Sequence, residues 1–129
     1  VEHKMLENNI GYISLLTFDT GCAEEFKAAY ESLENQGAKK VILDLRNNTG
    51  GLVNECLEIA DMMLPKGAIE LITTDAQGNK EISKSKNDPL ITCDIVVLVN
   101  EYSASASEIL AGALKDNKKA TNKRKTIKK

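Results

Sequence analysis

The amino-acid sequence predicts a layered α/β fold in which amphipathic helices pack on a mostly parallel sheet. Short, almost uniformly apolar segments such as KKVILDLR (39–46) and DIVVLVN (94–100) are typical of strands buried on both faces. They alternate with longer segments whose apolar residues recur at helical spacing. Strands and helices that alternate along a chain favour parallel pairing through helical crossovers.

The first half of the chain contains two predicted strand–helix pairs. IGYISLLTF (10–18) is rich in β-branched and aromatic residues and predicts a strand. Residues 23–37 follow with apolar side chains at helical spacing and a terminal glycine. After the strand at 39–46, a second helix is predicted from about Val53 to just before Pro65.

The second half adds a hairpin and another strand–helix pair. Two alternating segments within residues 68–86, separated by DAQGN, predict a β-hairpin. The strand at 94–100 leads into a third helix, whose apolar face runs over residues 106–114. The polar opening, residues 1–9, predicts no regular element. Residues 121–129 are expected to form a poorly ordered basic tail because charge replaces the apolar pattern.

Composition excludes several classes of function. The length of 129 residues allows one domain, and the apolar runs are too short to span a bilayer. Cys22, Cys56 and Cys93 are too widely spaced for a zinc site, so neither a metal nor a cofactor is predicted. His3 is the only histidine, which argues against a Ser-His-Asp mechanism.

The basic tail carries little evidence for a specific partner. Seven of the 17 Lys and Arg residues fall in the last twelve positions, although the formal net charge of the chain is −2. No aromatic residue interleaves with these charges, so no specific nucleic-acid contact is predicted. A solvated charged segment is the simpler interpretation.

Two strand-to-helix junctions could carry chemistry, DLRNNTGG (44–51) and NEYSASASE (100–108). Such junctions lie at the carboxyl ends of strands, where open α/β sheets bind ligands. Gly50 and Gly51 would leave backbone N–H groups uncovered at the start of a helix, which suits an oxyanion or a phosphate. A tight connection without any ligand is the alternative.

Three serines alternate in the segment NEYSASASE: Ser103, Ser105 and Ser107. A serine at the first turn of a helix lies beside unpaired N–H donors. A lysine would have to act as its base, because the chain has one histidine, His3, in its polar opening. The alternative is that these serines only cap the helix. The residues alone do not decide which serine, if any, is catalytic.

VILDLRNNTGGLVNECLEIADMMLPKG, together with IVVLVNEYSASASEILAGALKDNKKA, closely resembles the carboxyl-terminal processing peptidases, or tail-specific proteases. The resemblance covers about residues 5–120. It implies a serine endopeptidase that uses a Ser-Lys dyad on a fold related to crotonase and Clp protease, and cleaves protein or peptide substrates near their carboxyl termini. It further implies Ser105 as the nucleophile. The oxyanion hole would combine the N–H of Ala106 with one from the glycine turn, Gly50 being preferred and Gly51 the other candidate.

The chain also departs from the family pattern. Thr49 stands where the family usually has Pro, and the family's PDZ domain is missing, so residues 1–129 are expected to be a partial catalytic domain that is incomplete at its carboxyl end. The family's lysine segment is altered here. Lys129 takes the place of the catalytic lysine if one deletion is allowed, and the chain itself is therefore expected to be inactive.

Family members mostly work outside the cytoplasm, which suggests an exported parent protein. Self-association into a homo-oligomer is expected if the altered tail leaves a sheet edge unpaired. Two other functions stay open: a non-catalytic pseudoenzyme or interaction domain whose basic tail binds an acidic partner, and a crotonase-like acyl-CoA enzyme. The latter shares the fold and the backbone oxyanion hole but has no role for Ser105.

Overall fold

The computed structural model describes residues 1–116 and 120–124, and for the last five of these the backbone alone is considered. Strands and helices alternate along most of this part of the chain. The elements, in order, are β1 (Glu2–Leu6), β2 (Ile10–Ser14), α1 (Cys22–Asn35), β3 (Lys40–Asp44), α2 (Val53–Met63), β4 (Ile69–Thr74), β5 (Lys80–Lys84), β6 (Asp94–Val99), α3 (Ala106–Asp116) and β7 (Ala120–Arg124). None of the helices in the described residues is long and apolar enough to cross a membrane.

The strands form two sheets. The larger sheet has the order β1-β2-β3-β6-β7, in which β1 is antiparallel to β2 and the other pairings are parallel. Strands β4 and β5 form a separate antiparallel hairpin. The predicted α/β fold with a mostly parallel sheet is therefore confirmed, as is the hairpin.

The two edge strands of the large sheet differ from the sequence-based expectation. β1 lies in the polar opening, where no element was expected, and reaches β2 through a turn in which Asn8 and Asn9 have positive φ angles. At the other edge, β7 occupies positions 120–124, within the segment expected to be a basic tail, and pairs in parallel with β6. Edge pairing uses backbone hydrogen bonds, which polar sequences can also supply. The rest of the predicted tail, residues 125–129, lies outside the described residues.

Burial alternates along the central strands. Val41 and Leu43 of β3 are buried, whereas Ile42 between them is partly exposed. β6 follows the same rule, with Val97 buried and Val96 partly exposed. The expectation that these strands are buried on both faces is therefore wrong within the described residues, because one face holds the core and the other is only partly covered.

The helices form a connected layer, in which α2 contacts both α1 and α3. Glu55 of α2 joins two of them, because its Oε1 accepts a hydrogen bond of 2.9 Å from the N–H of Ala23 in the first turn of α1. A carboxylate at that position satisfies a free helix donor and complements the helix dipole. Packing of the helices in this layer positions the N-termini of α2 and α3. Both N-termini contribute to the site described next.

Candidate active site

Two loops meet at one edge of the large sheet. Residues 45–52, the first junction, connect β3 to α2, and residues 100–105, the second junction, connect β6 to α3. Because β3 and β6 are parallel neighbours, their carboxyl ends lie side by side. The two segments that the sequence singled out are thereby brought together.

Reciprocal hydrogen bonds join the two junctions. The Oδ1 of Asn100 accepts the backbone N–H of Asn47 at 3.0 Å, and the Nδ2 of Asn100 donates to the Oδ1 of Asn47 at 2.9 Å. Ser103 adds a third connection, because its Oγ donates to the carbonyl of Leu45 at 2.6 Å. Ser103 is buried, and its hydroxyl is committed to the backbone of the turn.

Ser107 is likewise a structural contact. Its Oγ lies 2.7 Å from the carbonyl oxygens of both Asn48 and Ala104, and the residue is fully buried. The N–H of Ala104 also donates to the Asn48 carbonyl, at 3.0 Å. The hydroxyls of Ser103 and Ser107 therefore hold the second junction and the first turn of α3 against the first junction.

Ser105 differs from Ser103 and Ser107 in its exposure and its backbone conformation. Its side chain is exposed, and its backbone has a φ of 57°, in the left-handed region that residues other than glycine seldom occupy. Its carbonyl accepts hydrogen bonds from Glu108 and Ile109 at 3.0 and 3.2 Å, so that Ser105 stands immediately before α3. Backbone strain of this kind is concentrated at functional sites, where it aims a side chain outward.

Gly50 of the first junction lies directly against Ser105. A Cβ atom built on Gly50 would stand 2.8 Å from the Cβ and 3.2 Å from the Oγ of Ser105. The N–H of Gly50, however, donates to the Oδ1 of Asn48 at 2.8 Å. The N–H of Gly50, the preferred oxyanion donor, is therefore already engaged within the turn.

Gly51 and Ala106 provide the remaining pair of donors. Within the described residues, neither backbone N–H donates a hydrogen bond to the protein. The N–H of Ala106 is in the first turn of α3, next to the positive end of the helix dipole, and the N–H of Gly51 precedes α2. Gly51 follows Gly50, which lies against Ser105, and Ala106 follows Ser105 itself, so both donors belong to the two segments that meet at this serine. Backbone donors next to a serine hydroxyl can stabilise the negative charge that develops in acyl transfer.

Cys56 of α2 holds the first residue of α3 through a hydrogen bond. It is fully buried, and its Sγ donates to the carbonyl of Ala106 at 3.1 Å. Burial raises the pKa of Cys56 to about 12, so the side chain stays a neutral thiol that can donate this bond. Cys56 therefore serves as a small core residue that also holds the helix start.

A partly buried ion pair anchors the first junction to the sheet. Asp44, the last residue of β3, accepts hydrogen bonds from the Nε and Nη2 of Arg46 at 2.9 and 2.7 Å, and another from the hydroxyl of Tyr12. Burial alone would raise the pKa of Asp44, but the hydrogen bonds from Arg46 and Tyr12 outweigh it and hold that pKa below its usual value. The pair fixes the direction in which the chain leaves β3.

This pair predicts a specific loss of stability in acid. Because the pKa of Asp44 is lower in the folded than in the unfolded chain, where it is about 3.9, the stabilisation is complete above about pH 4 and is lost as the pH falls further. We expect Asp44→Asn to lower the melting temperature at pH 7 and to flatten its decline below pH 4. Tyr12→Phe, which removes one donor, should give an intermediate curve. Parallel curves for Asp44→Asn and the wild type would contradict this assignment.

Sequence reasoning missed Asn48, whose side chain bonds both the glycine turn and the backbone of Leu15. It is fully buried, its Oδ1 accepts the Gly50 N–H, and its Nδ2 donates to the carbonyl of Leu15 at 3.0 Å. A bond from an Asn side chain to the N–H two residues later is a common turn motif, so NNTGG contained the signal. Lys129, which was expected to supply the base, lies outside the described residues.

Comparison with known proteins identifies the family. The pattern of peptidase family S41 matches residues 9–122. The carboxyl-terminal-processing protease of Synechocystis sp. is 45% identical over 113 residues, which are 88% of this chain and 26% of that protein. The carboxy-terminal processing protease CtpA of Bacillus subtilis is 39% identical over 117 residues, covering 91% of this chain and 25% of that protein.

A solved structure agrees with the sequence comparison. The photosystem II D1 C-terminal processing protease superimposes with a TM-score of 0.82 at 34% identity, over 92% of this chain and 32% of that chain. This chain spans about a quarter of the length of the curated relatives that it matches. The match to residues 9–122 covers most of the chain, which therefore belongs to peptidase family S41.

Proposed function

We propose that this chain supplies the nucleophile and the oxyanion hole of a serine endopeptidase that cleaves proteins near their carboxyl termini. The observation that carries the proposal is the position of Ser105, which is exposed and strained before α3 and packs against Gly50. The next residues along each segment, Gly51 and Ala106, have N–H groups that donate no hydrogen bond among the described residues. A nucleophile with two backbone donors is the arrangement that acyl transfer requires.

The proposed reaction follows from these groups. The Oγ of Ser105 attacks the scissile carbonyl carbon and gives its proton to a neutral lysine, while the N–H groups of Gly51 and Ala106 bind the resulting oxyanion. The intermediate then expels the amine of the departing peptide, which takes the proton, and water hydrolyses the acyl-enzyme. We assign the base to Lys129, from its place in the sequence.

Relatives support the substrate class and the compartment. The names of the matched proteins describe processing of carboxyl termini, and two of those from Arabidopsis thaliana are named as chloroplastic. We accordingly propose protein substrates with accessible carboxyl termini. We also propose that the full-length protein acts outside the cytoplasm.

Covalent labelling tests the proposal directly. We expect a fluorophosphonate probe to label the full-length protein once, and peptide mapping by mass spectrometry to place the label on Ser105. Ser105→Ala should not be labelled. An unlabelled, folded wild-type protein would contradict the peptidase assignment and would favour a crotonase-like enzyme or a non-catalytic domain, which need no reactive serine.

A further inference from the structure

The oxyanion hole proposed above depends on the orientation of a single peptide group between two glycines. The peptide bond that joins Gly50 to Gly51 is trans, so the Gly50 carbonyl and the Gly51 N–H point in opposite directions. The Gly50 carbonyl accepts the N–H of Phe18 at 3.0 Å and the Oγ1 of Thr17 at 3.3 Å. These two bonds turn the Gly51 N–H away from the segment at 17–18.

Asn48 holds the peptide group on the other side of Gly50. Its Oδ1 accepts the Gly50 N–H, so that both peptide groups flanking this glycine have a fixed partner. Glycine is the residue whose backbone rotates most freely, and Gly50 has a φ of 115°. Without the amide of Asn48, nothing among the described side chains would hold the Gly50 N–H.

The same residue also holds the other half of the oxyanion hole. The backbone carbonyl of Asn48 accepts the N–H of Ala104 and the hydroxyl of Ser107, which flank Ser105 and Ala106. Its Nδ2 is fixed in turn by the carbonyl of Leu15. One buried residue thus connects the segment that bears the Gly51 donor to the segment that bears the nucleophile and the Ala106 donor.

We infer that Asn48 is a positioning residue that sets the Gly51 N–H against the Ala106 N–H, and so keeps the oxyanion hole assembled before substrate binds. The inference rests on the proposed peptidase function. It predicts that Asn48 acts on the transition state and leaves binding of the substrate ground state almost unchanged, because Asn48 would touch neither substrate nor Ser105 Oγ.

The experiment measures kcat and KM for one peptide substrate in the full-length protein, together with the affinity for a peptide boronic acid of the same sequence. Loss of one oxyanion donor costs about 10²–10³ in kcat in a known protease, so we expect Asn48→Ala to lower kcat by about 30- to 100-fold. KM should stay within about threefold of the wild-type value, and affinity for the tetrahedral boronate should fall in parallel with kcat/KM.

Two further variants keep the test decisive if Asn48→Ala does not fold. Asn48→Asp keeps the acceptor for the Gly50 N–H, and its protonated form can also donate to the Leu15 carbonyl. We therefore expect its kcat relative to wild type to recover as the pH falls. Thr17→Val removes an exposed hydroxyl that bonds the Gly50 carbonyl, and should lower kcat by about threefold, as expected for one weak hydrogen bond.

Asp61→Ala is the control for a general loss of stability. Asp61 holds the segment at 85–87 through three hydrogen bonds, and it lies near the end of α2 that is remote from Ser105. Its loss should lower the melting temperature with little change in kcat. Folded Asn48 variants with wild-type kcat would overturn the inference but would leave the proposed function standing. A wild-type protein that is not labelled at Ser105 would overturn the proposed function and the inference with it.

Discussion

Ser105→Ala in the full-length protein is expected to abolish peptide cleavage, lowering kcat by about 10⁴-fold or more, as for other serine nucleophiles. The exposed Oγ is the atom that would form the acyl-enzyme, and alanine leaves no group to replace it. Melting should be unchanged, because the Ser105 side chain is exposed and contributes no hydrogen bond among the described residues. Cleavage can be followed with an unstructured protein that has an apolar carboxyl terminus.

Ser103→Ala and Ser107→Ala are the matched controls, since each removes one hydroxyl from the same short segment. Both hydroxyls are buried and donate to backbone carbonyls of the first junction. Each carbonyl keeps a backbone donor, so the loss is that of one buried hydrogen bond, about 0.5–1.5 kcal/mol. Both variants should therefore melt earlier yet keep a substantial fraction of activity. If Ser103→Ala were folded but as inactive as Ser105→Ala, the nucleophile would be misassigned.

The elements that can be predicted from sequence are those specified by local patterns. The helix expected from Val53 to just before Pro65 is found at Val53–Met63, because its apolar spacing and the terminal proline both act within one element. The hairpin at β4 and β5 is found for the same reason, since alternation and a short polar turn are local signals.

Features that depend on pairing with distant residues could not be predicted in the same way. Strand β1 is polar and becomes a strand because β2 offers it a free edge, which no pattern within residues 1–9 reports. The central strands look buried on both faces because their sequences are apolar throughout, although Ile42 and Val96 lie on a partly covered face. The apolar composition identifies a strand, but it does not show whether one or both faces of that strand are covered by other elements.

The candidate site shows the same division. The sequence brings the two junctions to one sheet edge, because carboxyl ends of parallel strands must meet there. The proposal of Gly51 over Gly50 as the donor rests on a three-dimensional observation, namely that the Gly50 N–H already donates to Asn48. Ser105 was selected by family resemblance, and its positive φ now gives an independent physical reason to separate it from Ser103 and Ser107.

Gly50→Ala is expected to reduce the reactivity of Ser105 by about 100-fold, because a displacement of about 1 Å at a reacting group can cost that much. The new Cβ would stand 2.8 Å from the Cβ of Ser105 and 3.3 Å from the carbonyl oxygen of Ala104. These neighbours are backbone or near-backbone atoms with no flexible end that could swing aside. The second junction must therefore shift, and Ser105 shifts with it, away from the Gly51 and Ala106 donors.

Gly67→Ala is the control that distinguishes the effect of the steric contact with Ser105 from the effect of backbone strain. Gly67 also has a positive φ, of 87°, but a Cβ built there meets nothing within 4 Å. Both alanine variants should lose stability, since alanine is strained at positive φ, yet only Gly50→Ala should react slowly with the fluorophosphonate probe. The measurement compares the fluorophosphonate labelling rates of the two variants well below both melting temperatures. Equal rates for the two variants would show that Gly50 serves only the turn, and that close packing against Ser105 is not what places the nucleophile.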